Sequence, residues 1–367
     1  MALSKNQMDK FKAHFKTKSN RSCPMCGKRE FELGRDVPVM IKVDARNMNL
    51  KLLLIALILF CCKDPTSKDQ LIESADQKTE LTKKISADST VDLVAYPPCN
   101  EEEIPHYTAY KISSAPKIDG KLDEEIWQAM PKSTRFRDLI SGAETIHDTR
   151  AAVVWDEEFL YVAYWIEEPD LQATLTERDA PIYKDNDVEL FIAGKDAYYE
   201  FEINSYGTIY EVFFIWEESY KSGGYDKIPA FSPDQKGRRP FHGVGYKPHP
   251  RGPRIGYWNW DFPGLKSAVY CDGTINNDKD RDRGWTVEIA LPWSGMKALT
   301  LGDNRNLPPK DQDTWRMDFS RFNQYKEAPP ANDSGGWAWS PHGVWDSHVP
   351  ECFTCIHFSS QYVDTSK

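Results

Sequence analysis

An all-β fold, a β-sandwich with long aromatic-rich loops, is predicted for residues 105–360 of this 367-residue chain. Three observations predict it. Short runs alternate apolar and polar residues with the period of two that half-buried strands require. Gly, Pro, Asn and Asp cluster between those runs, and no long amphipathic helix interrupts them. The stretch is of a length that one all-β domain can have.

The strands expected lie at 149–156, 159–167, 187–193, 198–204 and 208–215, then at 268–272, 285–291, 314–320, 337–340 and 354–359. Residues 187–204, DVELFIAGKDAYYEFEIN, read as a hairpin about Gly194-Lys195-Asp196. A tight turn there sets Glu189 opposite Glu202 and Asp187 opposite Asn204. Like charges directly across a strand pair cost roughly 0.2–1 kcal/mol. A face that keeps these carboxylates together therefore requires a cation, an arginine or a polar ligand, unless it is simply a solvated outer face. Trp315, Met317 and Phe319 form one side of the 314–320 strand and leave Arg316 and Asp318 on the other. Arg316 is the expected counter-charge. Trp285, Val287, Ile289 and Leu291 likewise form an apolar side, with Glu288 turned away. Residues 217–265 show little regular pattern, and their Phe, Tyr and Trp content predicts a packed functional loop.

The N-terminal third divides into three pieces. Residues 1–47 carry eleven Lys+Arg against five Asp+Glu and contain a C-x2-C pair at Cys23 and Cys26. One such pair supplies half of a zinc site. This piece resembles the front half of small bacterial zinc-ribbon proteins and is read as a truncated extension, absent from the mature protein. Residues 48–62, MNLKLLLIALILFCC, read as a lipoprotein signal peptide with Cys62 as the lipidated residue. Its apolar run is shorter than the ~20 residues that span a bilayer. Residues 63–104 are polar and read as a tether. With the +6 of residues 1–47 and Lys51 set aside, residues 63–367 stand at −17. That balance excludes nucleic acid as a partner class. The expected location is the cell envelope, with the lipid as the membrane contact. Cys99, Cys271, Cys352 and Cys355 can pair in three ways, and all three stay open.

Several motifs together resemble the carbohydrate-binding module family 9-like domains. They are APKIDGKLDEEIW at 115–127, VVWDEEFLYVAYWIEEPD at 153–170, the D-x-V-E-L-F strand, GWTVEIALPW at 284–293 and WSPHG…HVPECF near the end. ATLTERD and WDFPGLKSAV are similar to a bacterial lipoprotein branch of that family. The resemblance implies an immunoglobulin-like β-sandwich that binds polysaccharide or oligosaccharide of the xylan or glucan class. It also implies a role in carbohydrate catabolism beside glycan-degrading enzymes. In such domains a sugar is clamped between two aromatics while charged and amide groups bind its hydroxyls. The matching positions are Tyr183 and Trp345 for the clamp and Glu189 for a polar contact; strand register and parity add Glu202, Asn204 and Arg316 to the expected ligand-binding set. An arginine of the family is replaced by Glu202, and Phe353-Thr354 stand where glycine usually follows an aromatic.

Two other functions compete. A glycoside hydrolase would use Glu189 and Glu202 as its two carboxyls, which must lie about 5–10 Å apart. A haem-binding redox sandwich would need axial ligands, and no C-x-x-C-H occurs. No cofactor is expected, with Ca2+ the one candidate. Asp278, Asp280 and Asp282 precede Trp285 in a turn that could hold it, although Lys279 and Arg281 are interleaved. The histidines at 242, 249, 342 and 348 lack the spacing of a zinc site.

Overall fold

The computed structural model describes residues 96–247, 249–326 and 328–363, so the readings of residues 1–47, Cys62 and most of the tether lie outside the described residues. Among the described residues fourteen strands join in one sheet, twelve of them along a single hydrogen-bonded path. They are β1 (His106–Lys111), β2 (Arg137–Asp138), β3 (Thr149–Trp155), β4 (Phe159–Glu167), β5 (Asp187–Ala193), β6 (Ala197–Asn204) and β7 (Ile209–Trp216), followed by β8 (Arg238–Phe241), β9 (Arg254–Tyr257), β10 (Lys266–Asp272), β11 (Gly284–Pro292), β12 (Thr314–Phe322), β13 (Gly336–Ala338) and β14 (Thr354–Tyr362). The order is β10-β11-β4-β3-β1-β14-β12-β5-β6-β7-β9-β8, with β13 and β2 attached beside β12.

The path folds over on itself, and β1 is its bridge. β1 runs parallel to both β14 and β3, and it meets β3 through only Tyr110 and Lys111. The two halves then face each other across the main core. The Tyr164 hydroxyl on β4 donates to the Glu189 carbonyl on β5 at 2.7 Å. The Tyr164 ring lies 6.2 Å from that of Phe319 on β12. Val188, Leu190 and Ile192 enter this core with Tyr199, Phe201, Met317, Phe319, Trp285, Val287 and Ile289, the sides that alternation assigned inward. The predicted β-sandwich is thus the observed fold.

Some elements differ from expectation. β1, β2, β8 and β9 do not stand out in the sequence. β8 and β9 fall within 217–265 and extend the sheet past β7, which gives that segment more regular structure than its composition suggests. The short helix α1 (Glu125–Ala129) is fastened by Glu288 on β11. Glu288 accepts from Trp127 Nε1 at 2.8 Å, Asp119 N at 2.9 Å and Gly120 N at 2.8 Å. Its side of β11 is therefore buried against the 119–127 segment. At the β5–β6 turn a side chain on Gly194 would begin 2.2 Å from the Leu299 carbonyl oxygen, so the close approach admits glycine alone. Cys99 and Cys352 form a disulfide, while Cys271 and Cys355 are free. Among the described residues no helix is long and apolar enough to cross a membrane.

Candidate ligand site: a buried acidic face beneath exposed aromatics

The hairpin register is the one read from alternation. Glu189 pairs with Glu202 and Asp187 with Asn204. β7 and β12 flank the pair, setting Tyr210 opposite Glu202, Ser320 opposite Glu189 and Phe322 opposite Asp187. Residues opposite one another share a face. Asp187, Glu189, Glu200, Glu202, Asp318 and Ser320 therefore lie on the side turned away from the main core.

That side is not solvated. Every residue of β5 and β6 is buried, because the loop 341–349 lies over the second face. The loop is held by Asp346, whose Oδ2 accepts from the backbone N–H groups of Val244, Gly245 and Tyr246, while Oδ1 accepts from that of His348. His342 Nε2 stands 3.4 Å from an Asp318 carboxyl oxygen, and His348 Nε2 stands 3.4 Å from Glu200. Phe191, Tyr198, Val212, Phe214 and Phe353 make a second apolar cluster beside these charges.

Burial sets the protonation of the face. It pushes the Glu189 carboxyl up to about 8, with Asp318 and Asp346 adding in the same direction against the Ser320 hydrogen bond. Burial and the surrounding carboxylates raise Asp187, Glu200 and Glu202 well above the ordinary range. The hydroxyl of Ser320 lies 3.0 Å from Glu189 Oε2 and 2.9 Å from Asp318 Oδ2. One hydroxyl has one proton to give, so the second contact needs a proton brought by a carboxyl. Burial drives His348 down to about 3, so it is a neutral ring facing Glu200. His342 is raised: burial opposes its charge, but Asp318 and the Asp346 carbonyl outweigh that. Burial likewise works to raise Asp346, yet the backbone N–H groups of Tyr246 and His348 and the Arg254 guanidinium hold it below the usual carboxylate range.

The structure distributes the expected site residues unevenly. Tyr183 is 45 % exposed and Trp345 is 38 % exposed, in a domain whose aromatics are mostly buried. Both border the same end of β12. Gln324 Nε2 donates to the Tyr183 carbonyl at 3.2 Å, and the Trp345 ring packs edge-on against Phe322 at 5.1 Å. Glu202 lies beneath Tyr183, accepting from its backbone N–H at 2.9 Å. Asn204 is occupied: it donates to Leu175 O and Asp185 and accepts from the N–H groups of Tyr206 and Thr208. Arg316 is not brought to the carboxylates. It pairs with Ala193, four residues along β12 from Ser320, about 13 Å at ~3.3 Å per residue. Its Nη1 donates to the Phe353 carbonyl at 2.9 Å, in a cleft shared with Lys195, Arg251 and Arg305. Trp155 and Trp285 are core residues. Trp258 is half-buried and donates to the Tyr210 hydroxyl at 2.6 Å, and Tyr210 in turn touches Tyr183 edge-on.

The expected Ca2+ candidates do not converge. Asp282 is buried and accepts from Leu171 N and Thr274 N, Asp278 pairs with Lys326, and Asp280 is exposed. Among the described residues the acidic side chains that gather as ligands would are Asp187, Glu189 and Glu202, with one oxygen from each lying within 4.8 Å of the others. Glu189 and Glu202 are thus adjacent and covered, unlike carboxyls placed across an open scissile bond.

Sequence reasoning missed Glu200, Ser320, Asp346, His342 and His348. Parity along β6 and β12 carries a signal for the first two. The other three sit in a loop with no periodicity. It also missed Arg321, one residue past the expected strand. That guanidinium is fully buried on the core side, where it meets Thr149, the Glu167 carbonyl and Glu168 and lies 4.7 Å over Trp337.

Two half-exposed aromatics thus stand at one strand end of a β-sandwich, beside a buried acidic face. Residues 118–225 match the model of the family described as Carbohydrate family 9 binding domain-like, which bears out the family resemblance over that span. No curated relative matches the chain. Solved structures similar to it include a Bacteroides uniformis ATCC 8492 protein proposed to bind carbohydrate, 13% identical over 70% of this chain and 100% of that one, with a TM-score of 0.43. A carbohydrate binding module family 9 from Caldicellulosiruptor kristjanssonii in complex with glucose is 13% identical over 71% of this chain and 100% of that one, with a TM-score of 0.37. The module with cellotriose gives 13%, 70% and 95%, with a TM-score of 0.38.

Proposed function

We propose that this domain binds saccharide at the end of β5, β6 and β12 where Tyr183 and Trp345 are exposed. The carrying observation is that pair: two large aromatics left half in solvent at one strand end, Tyr183 within the family-matched segment and Trp345 outside it. A pyranose has apolar C–H faces and a hydroxyl rim, so aromatic platforms stack on it while polar groups read its edge. The side-chain amide of Gln324, beside Tyr183, supplies a polar group at the surface, while the buried Glu202 fixes the Tyr183 backbone from beneath. In this reading the ligand is a xylan- or glucan-class oligosaccharide, and the chain is an exported lipoprotein anchored through Cys62. It would hold glycan at the cell envelope for degrading enzymes.

A glycan array probed with the full chain tests the reading. Saturable binding to β-linked xylose or glucose oligomers, without release of shorter products, is the expected outcome. Silence across the array, or steady hydrolysis abolished by Glu189→Gln, would overturn it.

A further inference from the structure

We propose that Asp187, Glu189 and Glu202 hold a divalent cation, Ca2+ by their chemistry, on the covered face of β5 and β6. The inference goes beyond saccharide binding and does not rest on it. Three oxygens bound to one Ca2+ at roughly 2.3–2.6 Å lie no more than about 5 Å apart. The three carboxylates meet that condition, with an oxygen of each within 4.8 Å of the others.

A second observation points to a missing partner. Asp187 Oδ1 accepts from Phe322 N at 3.0 Å, but the fully buried Oδ2 has no donor. Glu200, next along this face, is also buried with an unpartnered Oε2. Buried polar atoms without partners are uncommon, and each asks for an explanation. The nearby arginines do not supply one. Arg321 projects from the opposite side of β12 and is engaged by Glu168 and Asn323. Arg316 is about 13 Å along the strand. Arg254 donates from Nε to the Tyr198 hydroxyl and lies over Trp216 and Phe241, with both Nη atoms buried and without an acceptor of their own.

Hard oxygen ligands without nitrogen or sulfur select Ca2+, Mg2+ or Mn2+ over Zn2+. Mg2+ normally keeps several waters, which a covered face does not favour, so Ca2+ fits best. The ion would also brace the rim, because Glu202 accepts from the backbone of Tyr183.

The test is Ca2+ titration of the full chain after stripping with EGTA, read by calorimetry and by Tb3+ luminescence excited through the aromatics. The expected result is one Ca2+ per chain with a dissociation constant on the order of 1 mM or below, and a higher melting temperature. Glu189→Gln with Glu202→Gln should weaken binding at least about tenfold, whereas Asp280→Asn leaves it unchanged. No saturable binding of Ca2+, Mg2+ or Mn2+ by the wild-type chain would overturn the proposal, as would unchanged affinity in the double variant. If that variant does not fold, the wild type decides: Tb3+ emission displaced by Ca2+ supports the site, and its absence rejects it. Saccharide titrations with Ca2+ and with EGTA separate the two readings, since the cation can bind whether or not sugar does.

Discussion

In EDTA the domain is expected to lose stability as pH rises from about 6.5 to 8, at up to about 1.4 kcal/mol per pH unit for each proton the folded state retains. Glu189 has a folded value of about 8, whereas an unfolded glutamate titrates near its ordinary value of 4.5. Between those values the folded chain binds a proton that the unfolded chain has released. Stability therefore falls with rising pH. Asp187, Glu200 and Glu202 are raised by burial and act with the same sign. His342, also raised, loses its stabilising proton in the same direction. His348 works against acid, not base, because its depressed value places its effect below about 6.5. Urea midpoints at three pH values check this. A flat or rising profile would show that the acidic face is not protonated as described, and Glu189→Gln should flatten the slope.

Glu288→Ala is expected to cost about 2 kcal/mol or more, by leaving two buried donors and one part-buried donor without an acceptor, at roughly 1–3 kcal/mol for each buried one. The donors are Trp127 Nε1 and the N–H groups of Asp119 and Gly120. Gly120 has a φ of +85°, and a side chain there would begin 2.5 Å from the Val269 carbonyl carbon. The segment thus has little freedom to find another partner. Glu288→Gln keeps one acceptor oxygen and should lose less. Denaturant unfolding of both variants measures the effect. A loss below about 1 kcal/mol for the alanine variant would mean that water replaces the carboxylate there.

Alternation made the β5–β6 hairpin legible, because one side of each strand must be apolar to meet the core. Register followed from the short turn at Gly194. The same alternation left the other side open between a ligand-bearing face and a solvated one. Asp187, Glu189, Glu200 and Glu202 are instead covered by a loop from the far end of the chain, and nothing local in β5 or β6 encodes that cover. Arg316 shows a related limit. Parity put it on the right face, but only the β12–β5 register reveals that it faces Ala193, not Glu189. Cys99 and Cys352 are 253 residues apart, a pairing that no spacing rule selects. Tyr183 and Trp345 were singled out through family resemblance alone. Their exposure is a property of packing.

The central claim is that Tyr183 and Trp345 form the ligand platform. Fluorescence or calorimetric titration of the full chain with a xylose or glucose oligomer tests it most directly, using the wild type and the Tyr183→Ala/Trp345→Ala variant with Ca2+ present. The account predicts saturable wild-type binding and an affinity about tenfold lower or worse in the variant, on the scale of ~1.5–3 kcal/mol for a buried large side chain. Equal affinity in the two proteins would contradict it.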